Sequence, residues 1–234
     1  MIKFIFKWGL RLFLLAVVLA VIFFLSLDSI LRVVIQHNIR AQTGMEAEIG
    51  KFHLGLFQPV IEIKDFQLYN PADFGGTPFL NIPEIHVEYD RPALQKNEIH
   101  ITLLRFNLGE LDIVKNEMGR TNIFSLGVAP PAKKIAAGGT GNDLAEFKRQ
   151  TGLDFQGIDV LNVSVGTAKY IDLQDRKNDR EQKIGIENQV INNVTNTAGL
   201  TGLAALVALR SGDFFGSLVD QKSSGLDVLK LIGP

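Results

Sequence analysis

A long uncharged run near the N-terminus constrains this chain more than any other feature. About sixteen consecutive residues, Leu12 to Leu27, carry no charge, and the run reaches about twenty if it starts at Trp8 and the Arg11 side chain extends to the interface. A helix of this length crosses a bilayer. The predicted membrane-anchor residues are Trp8, Arg11, Leu12 and Leu27.

The charges on either side of this run set its expected orientation. Lys3, Lys7 and Arg11 precede the run, and Asp28 closes it. Because basic residues favour the cytoplasmic side, we expect a single-pass protein with its N-terminus in the cytoplasm and the bulk of the chain across the membrane. A buried helix of a soluble protein would not need this charge asymmetry.

A cleaved signal peptide is the main alternative for the same segment. Signal peptides need small residues before the cleavage site, whereas this chain has Leu25, Ser26 and Leu27 there. The apolar run is also longer than a usual signal core. The sequence therefore favours an uncleaved anchor.

The helical pattern continues beyond Asp28. Apolar and polar residues keep a helical period to about Gln42, and Gly44 is a suitable stop. The apolar positions are Ile30, Leu31, Val34 and Ile35, and the polar ones are Arg32, Gln36 and Arg40.

From residue 46 to about residue 116 the period changes to two, which predicts strands with one apolar and one polar face. The alternating apolar residues include Ile61, Ile63, Ile85, Val87, Ile99 and Ile101. The phase slips at Lys64-Asp65 and at Leu103-Leu104, which predicts β-bulges. Turn residues between the runs favour an antiparallel meander.

The fold class predicted is α+β with mostly antiparallel strands: an N-terminal transmembrane helix that continues beyond the membrane, then a curved sheet with short C-terminal helices. The whole chain has patterns for roughly eight to ten strands. The apolar side of such a sheet must close on itself, pack against another layer or hold something apolar.

Composition shifts predict the domain boundaries. We expect an anchor and helix at 1–43, a β domain at 44–126, a Gly- and Pro-rich linker at 127–142, and a second β-rich segment with C-terminal helices at 143–234. Within that segment the patterns predict strands at 158–165, 167–173 and 184–188, a charged hairpin tip at 172–183 and a helix at 192–209. The apolar stretch 226–232 is a further short element.

Charge and motifs exclude several functions. The net charge is −1, with 24 basic and 25 acidic residues, so we expect no nucleic-acid partner. The chain has no cysteine, which excludes disulfides and thiolate metal sites. Its four histidines lack metal-ligand spacing, and no hydrolase or phosphate-loop motif occurs. We therefore expect no enzyme activity, no catalytic residue, no metal and no cofactor.

Residues 1–125 contain a series of short motifs in a fixed order. They are the anchor, the helix ending at Thr43-Gly44, a strand pair at 49–68, then Tyr69-Asn70-Pro71, Phe74 and a strand at 85–89. A second group, at a turn after a strand, consists of Asn116, Gly119, Arg120, Thr121 and Asn122. Together these motifs, which cover about half of the chain, resemble the N-terminal part of AsmA-like proteins of the bacterial envelope.

The resemblance implies a bacterial inner-membrane protein whose periplasmic sheet carries lipid along an apolar groove, or otherwise maintains the envelope. Ile61, Ile63, Ile85, Val87, Ile99 and Ile101 are then the candidate lipid-facing residues. The implied partners are membrane lipid and other envelope proteins or further copies of the chain. The chain is much shorter than family members that bridge two membranes, so a scaffold subunit that carries no lipid stays open as an alternative.

Overall fold

The computed structural model describes residues 2–55, 57–125, 145, 148–149, 151–195, 197–212 and 214. The fold is α+β. The helices are α1 (Ile2–Thr43), α2 (Arg91–Leu94), α3 (Asn122–Ser125) and α4 (Thr201–Ser211), and 3-10 turns lie at Ala72–Phe74, Arg176–Asn178 and Thr197–Leu200. The strands are β1 (Glu46–Leu54), β2 (Val60–Tyr69), β3 (Pro78–Tyr89), β4 (Glu98–Lys115), β5 (Asp154–Asp172) and β6 (Arg180–Val194).

Helix α1 ends where the sequence predicts. Gly44 follows it with a φ of 70°, and its N–H donates to the Arg40 carbonyl at 2.9 Å. The side chains of the predicted anchor residues Trp8, Arg11 and Leu12 lie outside the described residues, whereas Leu27 is half-buried. Within the described part of the chain, no helical stretch combines the length and the hydropathy that a membrane span requires.

All six described strands form one sheet in the order β1-β2-β3-β4-β5-β6. Strands β1 to β4 are the predicted antiparallel meander, β5 pairs parallel to β4, and β6 returns antiparallel to β5. The second predicted segment thus extends the first sheet across the linker, which itself lies outside the described residues, as does 226–232.

The prediction of eight to ten strands is wrong for the described residues because single strands run through positions that the sequence favours as breaks. Strand β4 has 18 residues and continues through Gly109, and β5 has 19 residues and continues through Gly166. Likewise β6 extends to Val194, so the C-terminal helix α4 begins at Thr201, later than the predicted residue 192.

These breaks fall at one level across the sheet and shift the phase of β1 to β5. Asp65, at the predicted slip in β2, has a φ of 54°. The positions at this level are Gly50, Asp65, Pro83, Gly109, Gly166 and Gly185. A Cβ on Gly166 would collide with the Gly109 carbonyl oxygen, so β5 needs glycine at this position. Because the alternation shifts at the same level in neighbouring strands, one face of the sheet stays apolar on both sides of the break.

A buried asparagine network fastens the end of the sheet where β4 stops. Asn122 is fully buried; its Oδ1 accepts from the Val114 and Ile123 N–H groups, and its Nδ2 donates to Asn70 Oδ1 and the Asp112 carbonyl, both at 2.9 Å. The link from Asn70 to Asn122 joins the turn after β2 to the segment after β4. Both asparagines belong to the motifs noted in the sequence.

Candidate functional site

The two faces of the sheet differ in chemistry. Cross-strand partners share a face, and the row Ile61, Val87, Leu104 and Leu161 runs through β2 to β5 without a polar side chain. This side is called the apolar face. Its residues on β1 to β3 are Ala47, Ile49, Phe52, Leu54, Ile61, Ile63, Phe66, Leu68, Leu80, Ile82, Ile85 and Val87. On β4 to β6 they are Leu104, Phe106, Leu108, Leu111, Ile113, Leu161, Val163, Val165, Ala168, Tyr170, Ile184 and Ile186.

The opposite face carries ion pairs between neighbouring strands. Arg105 Nη1 lies 3.3 Å from Glu84 Oε1, and Lys169 Nζ lies 2.6 Å from Glu110 Oε2. Hydrogen bonding to Glu110 raises the pKa of Lys169. These ion pairs are typical of a surface that faces solvent. The apolar face is therefore the side of the sheet that must be shielded from water.

Helices cover the two lateral ends of the apolar face. Helix α1 packs against β1, where Ala47 and Ile49 are buried, and α4 packs against β6. Leu203, Leu206 and Val207 of α4 pack against the core cluster formed mainly by β5 and β6. Within that cluster Val163 is only 5% exposed. These ends of the face are ordinary protein core.

The middle of the apolar face has no helix over it among the described elements, although Leu104 and Phe106 also pack against the core cluster of β5 and β6. No described helix packs extensively against β2 or β3. The side chains here are half-buried, although they are as apolar as those at the covered ends. This part is called the open segment, and it consists of Ile61, Ile63, Ile85, Val87, Leu104 and Phe106.

Four of the six predicted lipid-facing residues come together in the open segment. Ile61 pairs directly with Val87, and Ile63 pairs with Ile85. Ile99 and Ile101 lie at the start of β4 instead, paired with Phe155 and Ile158 of β5.

The β4 residues beside Val87 and Ile85 are Leu104 and Phe106, which the sequence reasoning did not select. The change of apolar phase at Leu103-Leu104 in the sequence was the available signal, although the β-bulge predicted there is wrong: both leucines pair regularly with β3, and the register shift lies at Glu88/Tyr89. Beyond that change of phase, the apolar alternation moves to even-numbered positions, and extending it would have selected both residues.

The open segment offers a ligand no charge and no catalytic group. Its six side chains are aliphatic or aromatic, so it can exclude water from hydrocarbon but cannot orient a polar substrate. Charged groups are found instead at the C-terminal end of β4, where Lys115 Nζ lies 3.1 Å from Asp172 Oδ2. Burial opposes ionisation of Asp172, but hydrogen bonds from the Gln174 N–H and Lys115 outweigh it and lower the Asp172 pKa.

A cluster on the polar face has metal-ligand atoms but also its own cations. One ligand atom from each of Glu62, Glu84 and His86 falls within 4.8 Å of the others. Lys64 Nζ lies 2.9 Å from Glu62 Oε1, and Arg105 pairs with Glu84. Hydrogen bonding to Lys64 lowers the Glu62 pKa. Since both carboxylates are already neutralised, the cluster is best described as an ion-pair network.

We compared the chain with protein-family models, curated proteins and solved structures, and none of them matches.

Proposed function

We propose that this chain is a membrane-anchored, non-catalytic lipid-handling protein whose open segment holds acyl chains. In this proposal Trp8, Arg11, Leu12 and Leu27 anchor α1 in a bacterial inner membrane and the sheet lies in the periplasm. The observation that carries the proposal is a surface of six half-buried apolar residues that no described helix covers, lying between two helix-covered ends.

Energetics favour hydrocarbon as the occupant of this surface. Covering a side chain of valine to phenylalanine size that is at most about a third exposed contributes about 0.5 kcal/mol, so six of them give on the order of 3 kcal/mol before binding costs. An acyl chain presents the same chemistry along its length and has no polar group to leave unpaired there. The open segment therefore matches a lipid tail better than a polar metabolite.

A scaffold subunit of a larger membrane complex is the second candidate, and the width of the sheet favours it. Six strands at about 4.8 Å each span about 30 Å, whereas a periplasm of about 100 Å or more needs on the order of twenty strands. One copy cannot connect two membranes. In the scaffold reading, a protein partner or a second copy covers the open segment.

Purification in mild detergent with mass spectrometry of co-purifying species separates the two candidates. The variant Val87→Asp places a charge in the open segment and should abolish phospholipid co-purification while the domain stays folded. Val190→Asp is the matched control, because Val190 is 48% exposed on β6 and pairs with Asn162 on the polar face.

Stoichiometric phospholipid on the wild type and on Val190→Asp, with none on folded Val87→Asp, supports lipid handling. A lipid-poor wild type that arrives with fixed protein partners supports the scaffold instead. Equal amounts of phospholipid on all three proteins would show that the open segment does not bind it.

A further inference from the structure

Side-chain contacts fix the direction of α1 relative to the sheet. Asp28 accepts from the Leu54 N–H at 3.0 Å and pairs with His53, also at 3.0 Å, where β1 ends. Further along the helix, Arg32 donates to the Gly50 carbonyl at 3.2 Å. Helix α1 therefore runs antiparallel to β1, and the residues before Asp28 lead away past the end of β1.

That end of the sheet, called the near end, carries the turn between β1 and β2 and the short helix α2. The Tyr89 N–H donates to the Pro59 carbonyl at 3.0 Å, so the two connections lie side by side. Each presents an exposed apolar side chain: Phe57 is 94% exposed and Leu94 is 42% exposed. Single exposed apolar side chains are common on protein surfaces, so these two matter only through their position beside α1.

The opposite end, called the far end, is closed by polar groups. The Asn70–Asn122 hydrogen bond and the Lys115–Asp172 ion pair both lie there. The near end carries ion pairs too, Asp28–His53 and His100–Asp159, and the apolar face reaches it through Leu54 and Ile61. The direction of α1, rather than the polarity of the two ends, therefore identifies the near end as the one beside a membrane.

Apolar side chains on α1 are exposed before Asp28, on the part that leads away from the near end. The exposed ones with described side chains are Leu15, Val17, Val18, Leu19, Ile22 and Phe23. Unless protein covers it, this apolar helical surface is stable only in contact with lipid. The same phase then begins beside the near end.

We propose that the near end is a membrane-docking surface, with Phe57 and Leu94 inserted into the lipid interface so that the open segment faces the bilayer at Ile61 and Val87. The inference rests on the proposed function, because it takes α1 as the anchor. Aromatic and aliphatic tips at the interface contribute binding through buried apolar area, as interfacial anchors do.

The absence of cysteine makes a direct test possible, because one introduced cysteine labels uniquely. Full-length Phe57→Cys, Met118→Cys and Leu19→Cys proteins are each labelled with the environment-sensitive dye NBD and reconstituted into phosphatidylcholine and phosphatidylglycerol vesicles, with and without doxyl-labelled lipid. Met118 is the matched control, since it is 68% exposed in the turn after β4, at the far end.

Quenching of NBD by doxyl lipid at positions 57 and 19, but not at 118, is the expected result. Quenching at 19 alone, or equally at 57 and 118, overturns the docking surface while leaving the anchor intact. Loss of quenching at all three positions would overturn the anchor, and the proposed membrane function with it.

Discussion

Val163 and Val87 are both valines on the apolar face, yet one is core and the other is a surface. Val163 lies under the cluster that α4 completes and is 5% exposed, whereas Val87 lies in the open segment and is half-buried. The strand pattern is the same at both positions. The difference teaches that the helices at the lateral ends of the sheet, not the alternation within it, decide which apolar residues become buried core and which stay half-buried.

The largest effect that distinguishes the two regions should come from Val163→Asp. An unpaired carboxylate in the covered core should reduce the free energy of unfolding by about 4 kcal/mol or more. Urea denaturation followed by circular dichroism measures it, with Val87→Asp as the comparison. A loss at Val163 no larger than at Val87 would mean that the covered and open regions do not differ.

A smaller effect is expected from Asn122→Ala, which tests how the far end of the sheet is held together. The variant removes the hydrogen bonds to Asn70, Val114 and Asp112, and should cost about 2–3 kcal/mol by leaving buried backbone and amide groups unpaired. The matched control is Asn192→Ala, an exposed residue of β6, which should change stability by less than about 0.5 kcal/mol. Equal melting temperatures for the two variants would contradict this role.

The smallest effect concerns pH and a carboxyl beside the covered region. Burial, together with the Glu110 charge, raises the pKa of Asp112 from 3.8 to about 6. The unfolded chain therefore loses this proton first as pH rises, so the free energy of unfolding falls between about pH 4 and pH 6. After solvent screening, the loss is on the order of 1–2 kcal/mol.

Asp112→Asn should abolish that part of the pH dependence, which urea titrations at pH 4 and pH 7 would reveal. The open segment has no titratable side chain, so Val87→Ala should leave the pH profile unchanged. A wild-type profile equal to that of Asp112→Asn would show that the raised pKa is wrong.

Local pattern predicted the parts of the fold that depend on neighbouring residues. The end of α1 at Gly44, the meander of β1 to β4 and the slip at Asp65 follow from helical period, alternation and turn residues. The alignment of the breaks across the sheet could not be predicted in this way. Gly109 and Gly166 favour turns when each strand is considered alone, and only the pairing of β4 with β5 shows that both strands continue through them.

The candidate site was predicted in part for the same reason. Ile61, Ile63, Ile85 and Val87 share a face through simple alternation, whereas placing Leu104 requires the register between β3 and β4. The parallel pairing of β5 with β4 and the cover that α4 gives are long-range contacts, which one strand's pattern does not encode.

Two adjacent leucines of β4 allow the most direct test of lipid binding by the open segment. Leu104 pairs with Val87 on the apolar face, and Leu103 pairs with Glu88 on the polar face; both are half-buried. Melting curves first establish that the variants Leu104→Gln and Leu103→Gln both fold. A fluorescent acyl-chain probe is then titrated into each detergent-solubilised variant, which compares the same substitution on opposite sides of one strand. We predict about tenfold weaker binding for Leu104→Gln and wild-type binding for Leu103→Gln. Equal affinities for the two folded variants would contradict lipid binding by this face.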